Sequence, residues 1–217
     1  MKYIVTVPFI AILFFYYSAP LAAMTPVEQF IDAAKAGKTD LVRSLVNGGT
    51  DINSRDKDGA TALIRAAANG RKDTVRYLVD NGADVNAQDK DNSTALMAAA
   101  FNSQTDIARL LIEKGADVNA RAADGETPLI YASVTGRPDM VRLLIEKGAD
   151  VNLSNREGET ALMSAAAAGR TETVRILISK GANVKALDRF GNTALAFAKA
   201  KKHDDAAGLL MKAGARQ

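Results

Sequence analysis

Residues 56–88 read DKDGATALIRAAANGRKDTVRYLVDNGADVNAQ, and residues 89–121 repeat the plan without a gap as DKDNSTALMAAAFNSQTDIARLLIEKGADVNAR. The 33-residue step continues along the chain. Thr61, Thr94, Thr127, Thr160 and Thr193 each precede Ala or Pro and then Leu, and Gly49, Gly82, Gly115, Gly148, Gly181 and Gly214 keep the same interval. A fixed period of this length marks a solenoid, because one such unit cannot cover its own apolar face and stacks on copies of itself.

Within the unit, Thr61 is placed to N-cap a short helix, its hydroxyl accepting an N–H of the first turn. Pro128 follows Thr127 at the helix position where a missing N–H costs nothing. Leu63, Ile64, Ala66 and Ala67 give that helix a small-residue face suited to close helix approach. Gly70 suits its end, since Gly adopts the left-handed conformation without a Cβ clash. Val75, Leu78 and Val79 recur at helical spacing and predict a second helix, closed by Gly82. Ala83 to Asn86 and the polar tip Asp89 to Asn92 read as a turn or hairpin into the next unit.

These residues resemble the ankyrin repeat, whose pattern runs T-P-L-H, then A-A-x-x-G, then G-A-D-V-N-A. The last motif stands at 82–87 and 115–120, is shortened to G-A-D-V-N at 148–152, and degenerates to G-T-D-I-N at 49–53. The resemblance covers about residues 25–217. It implies an all-α ankyrin-repeat solenoid of six stacked helix-turn-helix units with short hairpin-like turns, at about 25–55, 56–88, 89–121, 122–154, 155–187 and 188–217. Residues 24–217 would then form the repeat domain.

Departures from the pattern carry their own expectations. The family's His is replaced by Ile64, Met97, Ile130, Met163 and Ala196, so apolar stacking is expected where the resemblance implies a hydrogen-bonded tie. Ser103 and Lys202 stand at the mid-unit Gly, and Asn92 at a tip Gly. Residues 25–47 lack the Thr-Pro-Leu opening but keep Ala33-Ala34, Gly37, Leu41-Val42 and Leu45-Val46, which predicts an atypical first unit. The last unit carries Lys199, Lys201, Lys202, His203, Asp204 and Asp205, a polar outer side of the kind a terminal cap needs.

Ahead of the repeats, Met1-Lys2 leads into Tyr3 to Tyr17, which holds no charge, and then into Ser18, Ala19, Pro20, Leu21, Ala22 and Ala23. Charge, apolar run and small-residue exit read as a secretory signal peptide over 1–23, cut after Ala23. The alternative is an uncleaved membrane anchor, since the uncharged stretch runs on to Val27 and a span needs about 20 residues. Pro8, Pro20 and the lack of a following basic cluster weigh against it. Both readings put the repeats outside the cytosol, periplasmic or secreted, and an exported bacterial-type protein suits them. The absence of Cys fits by removing wrong disulfides, and it leaves no site for lipid attachment.

Charge and chemistry exclude more than they assign. Without Lys2 the chain holds 27 basic against 25 acidic residues, a net charge of +2 (27 minus 25), which makes nucleic acid a poor partner. Residues 189–217 are locally basic, with six Lys or Arg against Asp204 and Asp205, and a solvated cap explains that better than an acidic partner. With one His and no Cys, neither a zinc cluster nor a Cys/His pair can be assembled. His203 reads as a solvated cap side chain. Asp124 with Glu126, and Glu157 with Glu159, are paired carboxylates at turn tips where solvation is expected. The Asn92-Ser93-Thr94 sequon is absorbed by the helix cap at Thr94. No catalytic residue, metal site or cofactor is therefore expected.

The resemblance implies that a protein partner lies in the concave groove made by turn tips and first helices, on a chain expected to be monomeric. The membrane enters only if 1–23 stays attached. Differences between units collect at the tips, with Lys90, Asp91, Arg156, Arg189 and Phe190, and at the first-helix ends, with Asn69, Phe101, Asn102 and Val134. Phe101 and Phe190 break a polar or small pattern, and Tyr131, flanked by Ile130 and Ala132 on one helix, joins them as a candidate; a large apolar side chain on a rigid surface is the usual kernel of a binding hot spot. The competing readings are that Phe101 fills a gap left at Ser103 and that Phe190 folds back on the cap.

Overall fold

A computed structural model describes residues 24–215, so the expected signal segment 1–23 lies outside the described residues. Six helix pairs follow one another: α1 (Pro26–Ala36) and α2 (Thr39–Asn47), α3 (Ala62–Ala68) and α4 (Lys72–Asp80), α5 (Ala95–Phe101) and α6 (Thr105–Glu113). Then come α7 (Pro128–Thr135) and α8 (Pro138–Glu146), α9 (Ala161–Ala167) and α10 (Thr171–Ser179), α11 (Ala194–Ala200) and α12 (Asp204–Lys212). Among the described residues no strand forms; isolated antiparallel bridges at Arg55–Thr61 and Ser154–Thr160 close two of the hairpin-like turns.

Local chemistry sets these boundaries. The hydroxyls of Thr61, Thr94, Thr127, Thr160 and Thr193 accept the N–H groups of Ile64, Met97, Ile130, Met163 and Ala196, capping every first helix from α3 onward. The opening unit starts Thr25-Pro26-Val27 in place of Thr-Pro-Leu, three residues before the 33-residue register, where Thr25 and Glu28 form a reciprocal capping box. That shift gives α1 an extra turn, at 11 residues against seven in α3.

The helices stack in two rows, odd-numbered on odd-numbered and even-numbered on even-numbered, with a rung inside each pair. Ala33, Ala66, Ala99, Ala132, Ala165 and Ala198 are all buried at one position of the odd row. Side chains this small bring the first helices close together. Phe30, Leu63, Leu96, Leu129, Leu162 and Leu195 fill the interior behind them. The stack ends where its pattern turns polar: Gln29 and Lys199 are exposed at positions held inside the array by buried Ala62 and Ala166.

Ile64, Met97, Ile130 and Met163 are buried where the family places His, while Ala196 in the last unit is half-buried. Polar ties between units run elsewhere. Asn53, Asn86, Asn119 and Asn152 each accept, through Oδ1, the N–H of a residue 31 positions on, at 2.8 to 2.9 Å. The tips add a backbone ladder, with the N–H groups of Lys90, Ala123, Arg156 and Arg189 donating to the carbonyls of Asp58, Asp91, Asp124 and Glu157.

A third set of ties depends on the mid-unit glycine. Arg71 Nε donates to the Lys35 carbonyl at 3.1 Å, Arg170 Nε to the Val134 carbonyl at 2.9 Å, and His203 Nε2 lies 3.1 Å from the Ala167 carbonyl. A carbonyl only accepts, so His203 Nε2 carries the proton. His203 is thus a half-buried inter-unit tie and not the solvated cap residue expected from sequence. These side chains cross directly over a glycine: a Cβ at Gly136 would stand 2.3 Å from Arg170 Cδ, on a backbone with φ of 70°. Ser103 occupies the same position with φ of 60°, and the matching Arg137 makes no such tie among the described residues. Replacing Ser103 by Gly is expected to raise stability by about 1 kcal/mol, the left-handed strain outweighing the added chain entropy. Thermal melting reads this as a gain of roughly 2–4 °C, and an unchanged midpoint would show Ser103 to be unstrained.

One buried hydroxyl has no partner. Thr74 shares a 2.8 Å hydrogen bond with Thr39 of the preceding unit. Thr173 repeats Thr74 at 1% exposure, but Thr39 is matched there by Pro138, and Thr173 Oγ1 is left unbonded. Thr173→Val is expected to stabilise the chain by about 1 kcal/mol, since it removes an unpaired polar atom at constant volume. Thr74→Val deletes a made bond and is expected to destabilise; equal effects in chemical denaturation would refute the distinction.

Candidate functional site

The residues at the middle of each first helix, Arg65, Ala98, Tyr131, Ser164 and Phe197, share one 33-residue register. At this register Arg65 reaches back to the turn of its own unit. Its Nε and Nη2 donate to Asp56 Oδ2 at 2.8 and 2.7 Å, and Nη2 also reaches Asp58 Oδ2 at 2.8 Å. The surface shared by the tips and the first helices is lined differently in every unit.

Its apolar stretch lies at α5 and α7. Phe101 and Tyr131 meet edge to face, with ring centroids 5.9 Å apart and planes at 86°. Phe101 is 53% exposed, and Val134, its counterpart one unit on, is 40% exposed. Phe101 therefore does not fill a gap at Ser103. Tyr131 is half-buried between Phe101 and the tips. Burial pushes its phenol up to about 12, and the carboxylates of Asp124, Glu126, Asp89 and Asp91 add to the effect by opposing a phenolate. The Glu126 carboxyl is likewise raised by burial, against a 2.8 Å hydrogen bond from Asn155 Nδ2 and with Asp124 and Glu159 opposing its charge.

The remaining sequence candidates fall into three places. Asn69 and Asn102 cap α3 and α5, where their amides donate to the carbonyls of Arg65 and Ala98 at 2.8 and 2.9 Å. Asn102 adjoins the apolar stretch, whereas Asn69 borders a surface hollow beside Lys38, Leu41 and Arg71. Lys90, Asp91 and Arg156 are exposed at the tips, whose backbones the ladder ties together. Arg189 pairs with Glu157, and its guanidinium lies 4.7 Å over the ring of Phe190. Phe190 is 69% exposed, so it does not fold back on the cap. Phe101 and Tyr131 thus form one aromatic pair, with Val134 exposed on the same helix as Tyr131, and Arg189 with Phe190 form a second pair near the far end.

Two features escaped sequence reading: the clamp of Asp56 and Asp58 on Arg65, and the buried linkage of Glu126 to Asn155. Their signal was the register itself. Arg65 stands nine residues after Asp56, so two sites at fixed offsets inside one unit meet wherever both carry charge.

The phenol of Tyr131 offers a direct probe of this environment. A folded-state value of about 12 exceeds the ordinary 10, so the neutral phenol is the form the fold favours. Its stabilising contribution is complete below pH 10 and is lost as pH rises toward 12. Phenolate absorbance developing near pH 12 is expected to vanish in Tyr131→Phe. Absorbance there that the substitution leaves unchanged would contradict the placement.

Stretches 30–122, 88–155 and 148–217 match the family model described as "Ankyrin repeats (3 copies)". Comparison with curated proteins finds no match. Among the described residues, no helix is long and apolar enough to cross a membrane. Paired helices stacked in two rows, the 33-residue register and a match spanning all units agree, and the chain belongs to the ankyrin repeat family, whose repeats are protein–protein interaction modules.

Proposed function

We propose that this chain is an exported, monomeric binding module without catalysis of its own, which holds a partner protein in the concave groove around Phe101, Tyr131 and Val134. The observation that carries the reading is the exposed Phe101 ring, set edge to face on the half-buried Tyr131 and mounted on helices whose inner faces are fully buried. A rigid frame loses little ordering entropy on docking, so contacts made there convert efficiently into affinity. The carboxylates considered for chemistry have structural work: Asp124 accepts the Glu126 N–H, Asn155 bridges Glu126 and Glu159, and Glu157 pairs with Arg189. Export is supported by the charge, apolar run and small-residue exit of residues 1–23.

Photo-crosslinking in the native host tests the groove, with a benzophenone side chain replacing Phe101 and, as control, Lys72, which pairs with Asp106 across the second-helix row. A dominant protein adduct at position 101 alone supports the reading; equal labelling at both positions removes it. Intact mass and fractionation test export. A chain starting at Met24 in the periplasm or medium supports cleavage, and a full-length chain in the membrane fraction makes the protein a tethered scaffold.

A further inference from the structure

An arginine of the chain itself shows what the groove beside Phe101 is shaped to take. In the unit of α3, Asp56 commits Oδ1 to its own turn, accepting the N–H groups of Asp58 and Ala60 at 2.9 Å each. This leaves Oδ2, with the Asp58 carboxylate, to hold the Arg65 guanidinium that rises from the first helix. In the unit of α5 the turn is the same. Asp89 Oδ1 accepts the N–H groups of Asp91 and Ser93, again at 2.9 Å, which leaves Asp89 Oδ2 and the Asp91 carboxylate at the register of Asp56 Oδ2 and Asp58. The residue at the register of Arg65 is Ala98, and among the described residues no side chain reaches this carboxylate pair. The acid half of the clamp is kept and the guanidinium is missing.

No other unit repeats this arrangement. Ala122 stands in place of the turn Asp one unit on, Asn155 in the next, and Asp188 Oδ2 is occupied by Asn192 Nδ2 at 2.9 Å. Ala98 is half-buried three residues before Phe101, whose ring meets that of Tyr131, and the carboxylates acting on Tyr131 include Asp89 and Asp91. Lys90, between the two acids, is held by its amide at the tip and is exposed.

We infer that the place left open by Ala98, between the carboxylates of Asp89 and Asp91 and the Phe101–Tyr131 pair, receives an arginine side chain of the partner protein. A guanidinium fits better than an ammonium. Its planar fork can address two carboxylates at once, as Arg65 does, and its flat face can lie against an aromatic ring. The inference rests on the reading that the partner binds in this groove, and it specifies the residue that the partner inserts.

The test uses the repeat chain from Met24 and two small probes, N-acetyl-arginine methylamide and its uncharged citrulline counterpart, followed by amide chemical shifts. The arginine probe is expected to shift residues 91, 98, 101 and 131 with a dissociation constant in the millimolar range, the order a single side chain supports, and citrulline to bind about tenfold more weakly or worse. Asp89→Asn with Asp91→Asn is expected to cost about tenfold or more while keeping the turn, because Asn155 already serves the same turn through its Oδ1. Ala98→Arg is expected to fill the site from within and abolish binding. Equal binding of citrulline, shifts centred in another unit, or unimpaired binding to both variants would overturn the inference. Crosslinking separates its failure from that of the groove: a Phe101 adduct that persists at full strength in Ala98→Arg keeps the groove and removes the arginine, and no Phe101 adduct in the otherwise unaltered chain removes both.

Discussion

Leu96→Ala is expected to destabilise the chain by about 3 kcal/mol and to lower its melting temperature by roughly 6–12 °C. Leu96 is fully buried in α5, and α5 packs against α3, α6 and α7, so the cavity weakens the unit and both of its interfaces. Leu195 is equally buried at the same register of α11, but α11 has a neighbour in its own row on one side only, α9. In a stacked array, stability is close to a sum of unit and nearest-neighbour contributions. Leu195→Ala should therefore loosen the terminal unit and broaden the transition, with a smaller shift of the main midpoint. Circular dichroism melts of the two variants decide it. Equal midpoint losses would mean that the array melts as one indivisible body.

Phe101→Ser is expected to weaken partner binding about thirtyfold, near 2 kcal/mol, while leaving the melting temperature within a degree or two of the parent. The two effects separate because Phe101 contributes its ring to the surface and not to the interior, with 53% of it exposed and its contact partner Tyr131 itself half-buried. Phe190→Ser serves as the comparison. That ring is still more exposed, but it lies under its own Arg189 at one tip and belongs to no apolar cluster of the groove. Its loss should cost the same partner little. A Phe190 effect larger than that of Phe101 would move the site to the far end of the stack.

The fold was legible because it is written six times. Thr61 alone is an ordinary Thr; five threonines at one interval, each capping a helix in the structure, are a register that chance does not supply. Thr25 falls three residues outside the register, so its cap does not show in the 33-residue interval. Phe101 and Phe190 were found as departures from the register, and their exposure follows from it. Reading one unit at a time could not show His203 donating 36 residues back, nor that Pro138 leaves Thr173 without the partner that Thr39 gives Thr74. Those contacts join residues of different units at offsets other than 33, so they become visible only when the stacking geometry is in hand. The open clamp at Ala98 lies in the register itself: Asp89, Asp91 and Ala98 are unremarkable singly, and gain meaning from Asp56, Asp58 and Arg65 one unit earlier.

Backbone hydrogen exchange, measured on the chain alone and with the protein captured at Phe101, tests the groove most directly. Binding in the groove predicts slowed exchange at 89–102 and 122–135, the tips and first helices of the two central units, with the second helices α4, α6 and α8 unchanged. Slowed exchange confined to those second helices, or to the terminal unit from residue 188 onward, would contradict it.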